Sequence, residues 1–338
     1  MKRSGVRPSQ IKNKFKRVEV YHKQKAAQQK EKLERRRKRK REEAEAVEQG
    51  LEAPPKKLPR TLESVREIDD TFVDPEDDEV AGDEATDEFA DYFAQKKSPK
   101  LIITTKRRPT SGVFPVIKEL LRMIPNSFYY KRGVYAYHES LLFSAYVSFA
   151  ASSVPCYRLL QNRVAGRFEL KQICRYASNR EFTHLIVLGE KAKKVNSMLV
   201  VHLPSGPTAF FRLTNLRLSD EIRGRGVQSR HLPEIILNNF NTRLGHRVGR
   251  MVGSLFPHNP QFRGRRVVTF HNQRDFIFLR QHRYEFAEEG KRAKLQELGP
   301  RFTLKMRWLL SGTFDTKMGE YEWFHRRHEM DLKRKFHL

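Results

Sequence analysis

Cysteine is nearly absent from the chain: two residues, Cys156 and Cys174, in 338. So few thiols cannot build a disulfide framework, and no Cys or His pair among the twelve histidines falls at zinc-ligand spacing. Neither a covalent staple nor a metal centre is expected. Long apolar runs are missing too. The N-terminus has no apolar core of the signal-peptide type, and the apolar stretch from Leu141 is short, serine-rich and broken by Pro155, which argues against a membrane helix. A reducing compartment and no membrane follow. Converging carboxylates are lacking outside one acidic tract, whereas two-metal phosphoryl chemistry needs several. No catalytic residue and no cofactor is therefore expected, although His246, His258, His271, His282 and Asp275 are the groups a metal-dependent nuclease would have to use.

Lysine is the last absence, and it is local. Leu232–Phe286 holds nine arginines, three acids and no lysine. Arginine offers a planar, permanently charged fork that matches phosphate bidentately and stacks on bases, which a lysine point charge does not. Arg243, Arg247, Arg250, Arg263, Arg265, Arg266, Arg274, Arg280 and Arg283 are accordingly the candidate RNA-binding residues.

The net charge of +27 is unevenly placed. Residues 1–41 carry 18 Lys and Arg against three acids, while residues 67–91 carry 13 acids and no base, and the stretch before residue 92 sums to zero. The whole excess sits on residues 92–338, so the folded body is a strong polycation that gains from a polyanion. Residues 1–66 read as a basic, disordered or partly helical arm with a proline-punctuated linker, and Arg35, Arg36, Arg37, Lys38, Arg39, Lys40 and Arg41 form a candidate nuclear-import signal. The acidic tract, residues 67–97, has the composition of a disordered spacer. Its end departs from that type: Phe89, Tyr92 and Phe93 fall at i, i+3, i+4 and would make one apolar edge on a short helix, able to dock on the basic body or on a partner.

From residue 98 the pattern is α/β. LIITT and HLIVLG are short apolar runs of buried-strand type, with helical candidates KELLRMI and FELKQICRYA between them. SMLVVHLPSGPTAFFRL reads as two strands about a turn. Pro233 suits the first turn of a helix through Phe240, followed by a longer helix over 242–256. On the latter, Leu244, Val248, Met251, Val252 and Leu255 form an apolar stripe; Arg243, Arg247 and Arg250 lie on another side; Gly245, Gly249 and Gly253 form a third row that permits close backbone approach. RRVVTF and FIFLRQHRYEF form a hairpin about HNQRD. Alternation places Phe276, Phe278, Tyr284 and Phe286 on one face with Arg280 and His282, either as core or as a base-stacking surface. RFTLKMRWLL is a last strand, and residues 312–338 a basic extension.

LPEIILNNF, TRLGHRVGRM, SLFPHNPQF and FHNQRDFIF, in this order, resemble the Brix-domain family of ribosome-assembly factors, and SPKLIITT, IPNSFYYKRG, HLPSGPTAFF, QELGPRFTLK, GEYEW and RKFHL extend the resemblance over the chain. It implies a Brix domain over 98–311 made of two similar half-domains related to the anticodon-binding domain of aminoacyl-tRNA synthetases. It implies also a nuclear, nucleolar factor that binds precursor ribosomal RNA during large-subunit (60S) assembly and rRNA processing. The implied partners are that RNA, the pre-60S particle and a dedicated nucleolar protein of the maintenance-of-killer type. The competing readings are a metal-dependent RNA-processing nuclease and a purely protein-binding nucleolar scaffold.

Val134–Arg167 interrupts the resemblance. It holds four charged residues in a chain that is 32% charged. It is expected to loop out of the domain without RNA contacts, either as a translated intron, since valine codons begin with the bases of a splice donor and Ala-Gly-Arg is compatible with an acceptor, or as a surface insertion.

Overall fold

A computed structural model describes residues 10–48, 61, 66–67, 71–73, 77–132, 169–229, 231–259, 265–287, 290, 292–313, 319–326, 330 and 335–338. The atypical segment 134–167 lies outside the described residues. The chain divides into two units, Met1–Ser64 and Val65–Leu338.

The first unit contains one long helix, α1, Lys14–Glu48. Asn13 accepts from the backbone N–H of Phe15 at 3.0 Å and of Lys16 at 3.3 Å, which satisfies donors that a helix start leaves unpaired. Its described side chains are overwhelmingly exposed, as a helix polar on all sides requires.

The second unit is built on one mixed sheet in the order β2-β1-β3-β4-β5-β10-β8-β7-β6. The strands are β1 Leu101–Thr105, β2 Ser127–Tyr129, β3 His184–Lys191, β4 Lys194–His202, β5 Thr208–Arg217, β6 Glu234–Asn238, β7 Arg266–Gln273, β8 Phe276–Ala287, β9 Arg292–Glu297, β10 Arg301–Leu310 and β11 Tyr321–Phe324. The helices are α2 Asp78–Thr86, α3 Ala90–Phe93, α4 Val113–Met123, α5 Leu170–Ser178 and α6 Arg243–Gly253. Strand β9 pairs with β8, and β11 with β10.

This order contains an internal repeat. In the first half β1 is parallel to β3, α4 lies between them in sequence, and β3, β4 and β5 form an antiparallel meander. In the second half β6 is parallel to β7 with α6 between them, and β7, β8 and β10 follow antiparallel. The halves join where β5 pairs antiparallel with β10, from Thr208↔Leu310 to Arg217↔Arg301. The expected α/β class and its two similar half-domains are both seen.

One expected helix is a strand. Residues 234–238 form β6, pairing in parallel with β7 from Glu234↔Val267 to Asn238↔His271. Ile235 and Ile236 are β-branched and stiff in χ1, which suits a pleated surface, and Pro233 precedes the first paired residue, where its missing N–H costs no ladder bond. The second half therefore starts with a strand and repeats the first.

The main core lies on one face of the sheet, where Val116, Leu120 and Met123 of α4 and Val248, Met251 and Val252 of α6 pack on Leu101, Ile103, Val200, Phe211, Val268, Leu279 and Leu304. A smaller cluster lies on the opposite face, where Cys174 and Ala177 of α5 cover Leu185, Val187, Leu199 and Val201 of the first half. Burial pushes the Cys174 thiol up to about 11, so it behaves as an inert apolar group.

Candidate nucleic-acid interface

Helix α6 begins where Thr242 caps it, its hydroxyl accepting from the Gly245 N–H at 2.9 Å and donating to the His337 carbonyl at 2.7 Å. The apolar stripe is buried in the core as its period requires. The glycine row serves packing inside the domain. A Cβ on Gly245 would stand 2.9 Å from the Leu338 backbone, one on Gly249 3.3 Å from the Phe240 ring, and one on Gly253 2.9 Å from the Phe93 ring.

The third side of α6 carries the arginines, and the chain's own carboxylates occupy them. Arg243 donates to Glu79 at 2.7 Å. Arg247 is held bidentately by Glu88, at 2.6 and 3.1 Å, and by Glu322 of β11, at 3.3 and 3.2 Å. Arg250 forms two bonds of 2.6 Å to Asp87, another of 2.6 Å to the Glu84 carbonyl and one of 3.3 Å to the Glu84 carboxylate. His246 lies 2.6 Å from Glu84. Fork-on-carboxylate pairing of this kind is the same geometry by which arginine takes phosphate. The Arg247 guanidinium hydrogen bond holds the Glu88 carboxyl below the usual range against the opposing effect of burial. Burial works against the Arg247 charge, but the bonds from Glu88 and Glu322 outweigh it and raise its pKa.

The acidic segment is therefore not a spacer over residues 77–93. Asp77 caps α2, accepting from the N–H groups of Glu79 and Val80, and acids in the first turn suit the helix dipole. Apolar anchoring holds it: Phe89 is 0% and Tyr92 1% exposed, and Phe93 stacks on His258 at 4.2 Å. The expected apolar edge docks on the basic body. Burying a phenylalanine side chain contributes about 1.5–3 kcal/mol, more than an exposed ion pair, so Phe89 and Tyr92 fix the segment and the carboxylates complete it. Under Tyr92 lie two histidines. His184 touches Thr183 at 2.8 Å and Ser254 at 3.0 Å; His202 touches the Gly206 carbonyl at 2.8 Å and the Tyr92 hydroxyl at 3.3 Å. Burial lowers both pKa values, His184 most strongly, and keeps these imidazoles neutral.

The remaining candidate arginines do not gather on one patch. Arg263 lies outside the described residues. Arg265 and Arg283 are exposed, and Arg274 is exposed in the β7–β8 turn with φ of 54°. Arg266 is buried, 5% exposed, and donates to the carbonyls of Arg122 at 3.1 Å and Ser229 at 3.4 Å. Burial lowers it to about 10, and its position makes it a structural cation rather than a phosphate contact. Arg280 lies on the opposite face of the sheet, 3.4 Å from Glu297. The aromatics on that face of β8 divide: Tyr284 is buried, its hydroxyl bonded to Glu234, whereas Phe276 and Phe286 are exposed. Arg35 to Arg41 lie exposed along α1.

The arginine-rich block does not include the cations of the strands that follow β8 across the sheet, namely Arg301, Lys305 and Arg307 of β10, which pairs with β8, and Arg212 and Arg217 of β5, which pairs with β10. The signal was the alternation in FFRLTNLR and RFTLKMRW, which becomes informative only once β5 and β10 are known to be neighbours. The histidines of the nuclease reading are apart: His246 is on Glu84, His258 on the Gly253 carbonyl, and Asp275 accepts the N–H groups of His337 and Leu338 at 2.7 and 2.8 Å. Among the described residues no group of three or more His, Cys, Asp or Glu is placed to hold a metal ion. No helix among them is long and apolar enough to cross a membrane.

A duplicated mixed sheet whose second half carries a glycine- and arginine-rows helix defines an architecture, and its sequence matches a known family model, the Brix domain, over residues 154–308. The chain belongs to the Brix-domain family. It is 49% identical over 337 residues to Ribosome production factor 1 of Pongo abelii, covering 99% of this chain and 86% of that protein. It is 48% identical, with the same coverage, to Ribosome production factor 1 of Mus musculus, and 41% identical to the probable ribosome production factor 1 of Drosophila melanogaster, covering 98% and 75%. Among solved structures, a probable ribosomal biogenesis protein from Aeropyrum pernix K1 is similar at 15% identity and a TM-score of 0.40, covering 62% of this chain and 96% of that one.

Proposed function

We propose that this protein is a ribosome-assembly factor that binds precursor ribosomal RNA during large-subunit assembly, in the nucleolus, with no chemistry of its own. The observation that carries the reading is identity of nearly one half, along almost the whole chain, with Ribosome production factor 1. The physics agrees with it. A body holding the full excess of +27 gains free energy at a polyanion, and shape and phosphate contacts position such a protein without base-specific chemistry. The α6 arginines enter RNA contact only by exchanging carboxylate for phosphate. A dedicated nucleolar protein partner of the maintenance-of-killer type completes the proposal, and Arg35 to Arg41 on α1 supply the import signal.

Sedimentation of the tagged protein tests it. Comigration with large-subunit precursors, lost on ribonuclease treatment, is the expected result; migration free of ribosomal particles contradicts it. Incubation of the pure protein with precursor RNA and Mg²⁺ leaves the RNA intact if the protein is a binder, and yields discrete fragments if it is a nuclease.

A further inference from the structure

The two half-domains differ on one face. In the first, α5 covers the sheet opposite the main core. In the second, the described residues between α6 and β7 hold no counterpart of α5. Among the described residues, no helix of the second half covers the side chains that alternation sends away from the core along β5, β10 and β8.

Cross-strand pairing arranges them in rows. Ser197, Arg212, Lys305, Phe276 and Gln273 are successive partners across five strands. Thr214, Thr303, Phe278 and His271 form the next row, and Arg217 stands opposite Arg301. Lys305 Nζ lies 5.0 Å from the centre of the Phe276 ring, and Phe210 and Trp308 stack at 5.4 Å with 14° between planes at the margin of the α5 cluster. Two shallow depressions, of ≈ 350 and ≈ 290 Å³, open among these residues.

Two of these pairs set like charges directly opposite each other, Arg212 against Lys305 and Arg217 against Arg301, which destabilises a sheet unless an anion lies between them. Glu297 reaches Arg280 and Arg301, each at 3.4 Å. The acidic segment cannot serve here, because it lies against α6 on the other face.

We propose that this face is a platform for single-stranded RNA, with phosphates held by Arg212, Arg217 and Lys305 and unpaired bases stacked on Phe276 and Phe278. The inference rests on the RNA binding proposed above and assigns it a surface. Charge selects the occupant, since rows of cations call for a polyanion, and the interleaved rings call for one that carries flat apolar groups. An acidic protein segment supplies the first and not the second.

The test uses the full chain and two probes, a single-stranded oligouridine carrying 4-thiouridine and an RNA duplex. Photo-crosslinks of the single strand are expected in the peptides containing Phe210, Phe276–Phe278 and Trp308. Replacing Phe276 and Phe278 by alanine should weaken the single strand about tenfold per ring and leave the duplex unchanged. Both rings lie off the core, so the thermal midpoint stays near that of the native chain. The exposed pair Arg212→Gln and Arg217→Gln provides a second readout, flattening the log affinity against log salt slope by roughly 1.4, at about 0.7 per lost contact. Wild-type binding in a folded Phe276→Ala/Phe278→Ala chain, with crosslinks confined to α1 or α6, overturns this assignment, gives the face to a protein ligand and leaves the RNA-binding function standing. Failure of the native chain to bind either probe overturns both.

Discussion

Neutralising the acidic segment should make this protein bind RNA more tightly. In the variant Glu84→Gln/Asp87→Asn/Glu88→Gln/Glu322→Gln, Arg247 and Arg250 lose the carboxylates that now hold them at 2.6–3.3 Å. Two released guanidinium groups add two phosphate contacts, steepening the slope of log affinity against log salt by roughly 1.4–1.8. The two proteins should converge near 1 M salt, so at 0.1 M the variant gains about 40-fold. The replacement has a stability cost as well, because Arg250 and Asp87 side chains are each only 12% exposed. Loss of a bond to such a charged group costs about 1.5–3 kcal/mol, so binding is measured well below the thermal midpoint. Fluorescence anisotropy with one RNA over a salt series gives both slopes. The companion variant Arg247→Ala/Arg250→Ala should leave the native slope nearly unchanged and abolish the gain in the neutralised background. If the arginine variant alone flattens the native slope by the full amount, the arginines already face RNA and the carboxylates do not compete with it. If the neutralised variant binds like the native chain, the segment is packing only.

Further outcomes follow from the same contacts. Phe89→Ala should cost about 3–5 kcal/mol in chemical unfolding, since the ring is fully buried, and should raise hydrogen exchange over residues 77–93. Gly253→Ala, whose new methyl would lie 2.9 Å from the Phe93 ring, should raise exchange over the same residues while far-ultraviolet dichroism stays native. Because burial depresses His184 and His202, their contribution to stability is complete above about pH 6.5 and is lost as pH falls below it, so the thermal midpoint should drop between roughly pH 7 and 5. The lowered pKa of Glu88 acts further down: its share is present above the ordinary glutamate range and disappears as pH falls below about 4. A midpoint flat from pH 7 to 5 would contradict the buried neutral imidazoles. Replacing Arg35 to Arg41 by glutamine should keep a tagged chain out of the nucleus, and normal accumulation would remove the import role from that run.

Elements with a strong local period were legible in the sequence. The helix of residues 243–253 showed its apolar stripe and its glycine row, within a helix expected over 242–256, and the β7–β8 hairpin showed its turn. Residues 234–238 were misread because a proline before an apolar run fits a helix start and an edge strand equally well, and only the pairing of Ile235 with Val268 decides. The internal repeat was invisible, since it is a likeness of strand order and not of residues. The candidate site was legible in part. The arginine row on one helix face could be read, but not that Glu79, Glu84, Asp87 and Glu88 meet it, because their partners lie more than a hundred residues away in sequence. Arg266 shows the complementary limit, for composition counts a cation without knowing that it is buried against two carbonyls. The cations of β5 and β10 join Phe276 and Phe278 only through the sheet, so no local pattern in the sequence marks them.

What this protein touches in the cell separates an RNA binder from a protein scaffold. Crosslinking in living cells, purification of the chain and sequencing of the attached RNA tests that most directly. Adducts are expected at a few positions of the large-subunit ribosomal RNA precursor, with the protein side of the adduct in the peptides of β5, β8 and β10. An absence of RNA adducts, with the chain recovered only in protein complexes, would contradict RNA binding and leave a purely protein-binding scaffold.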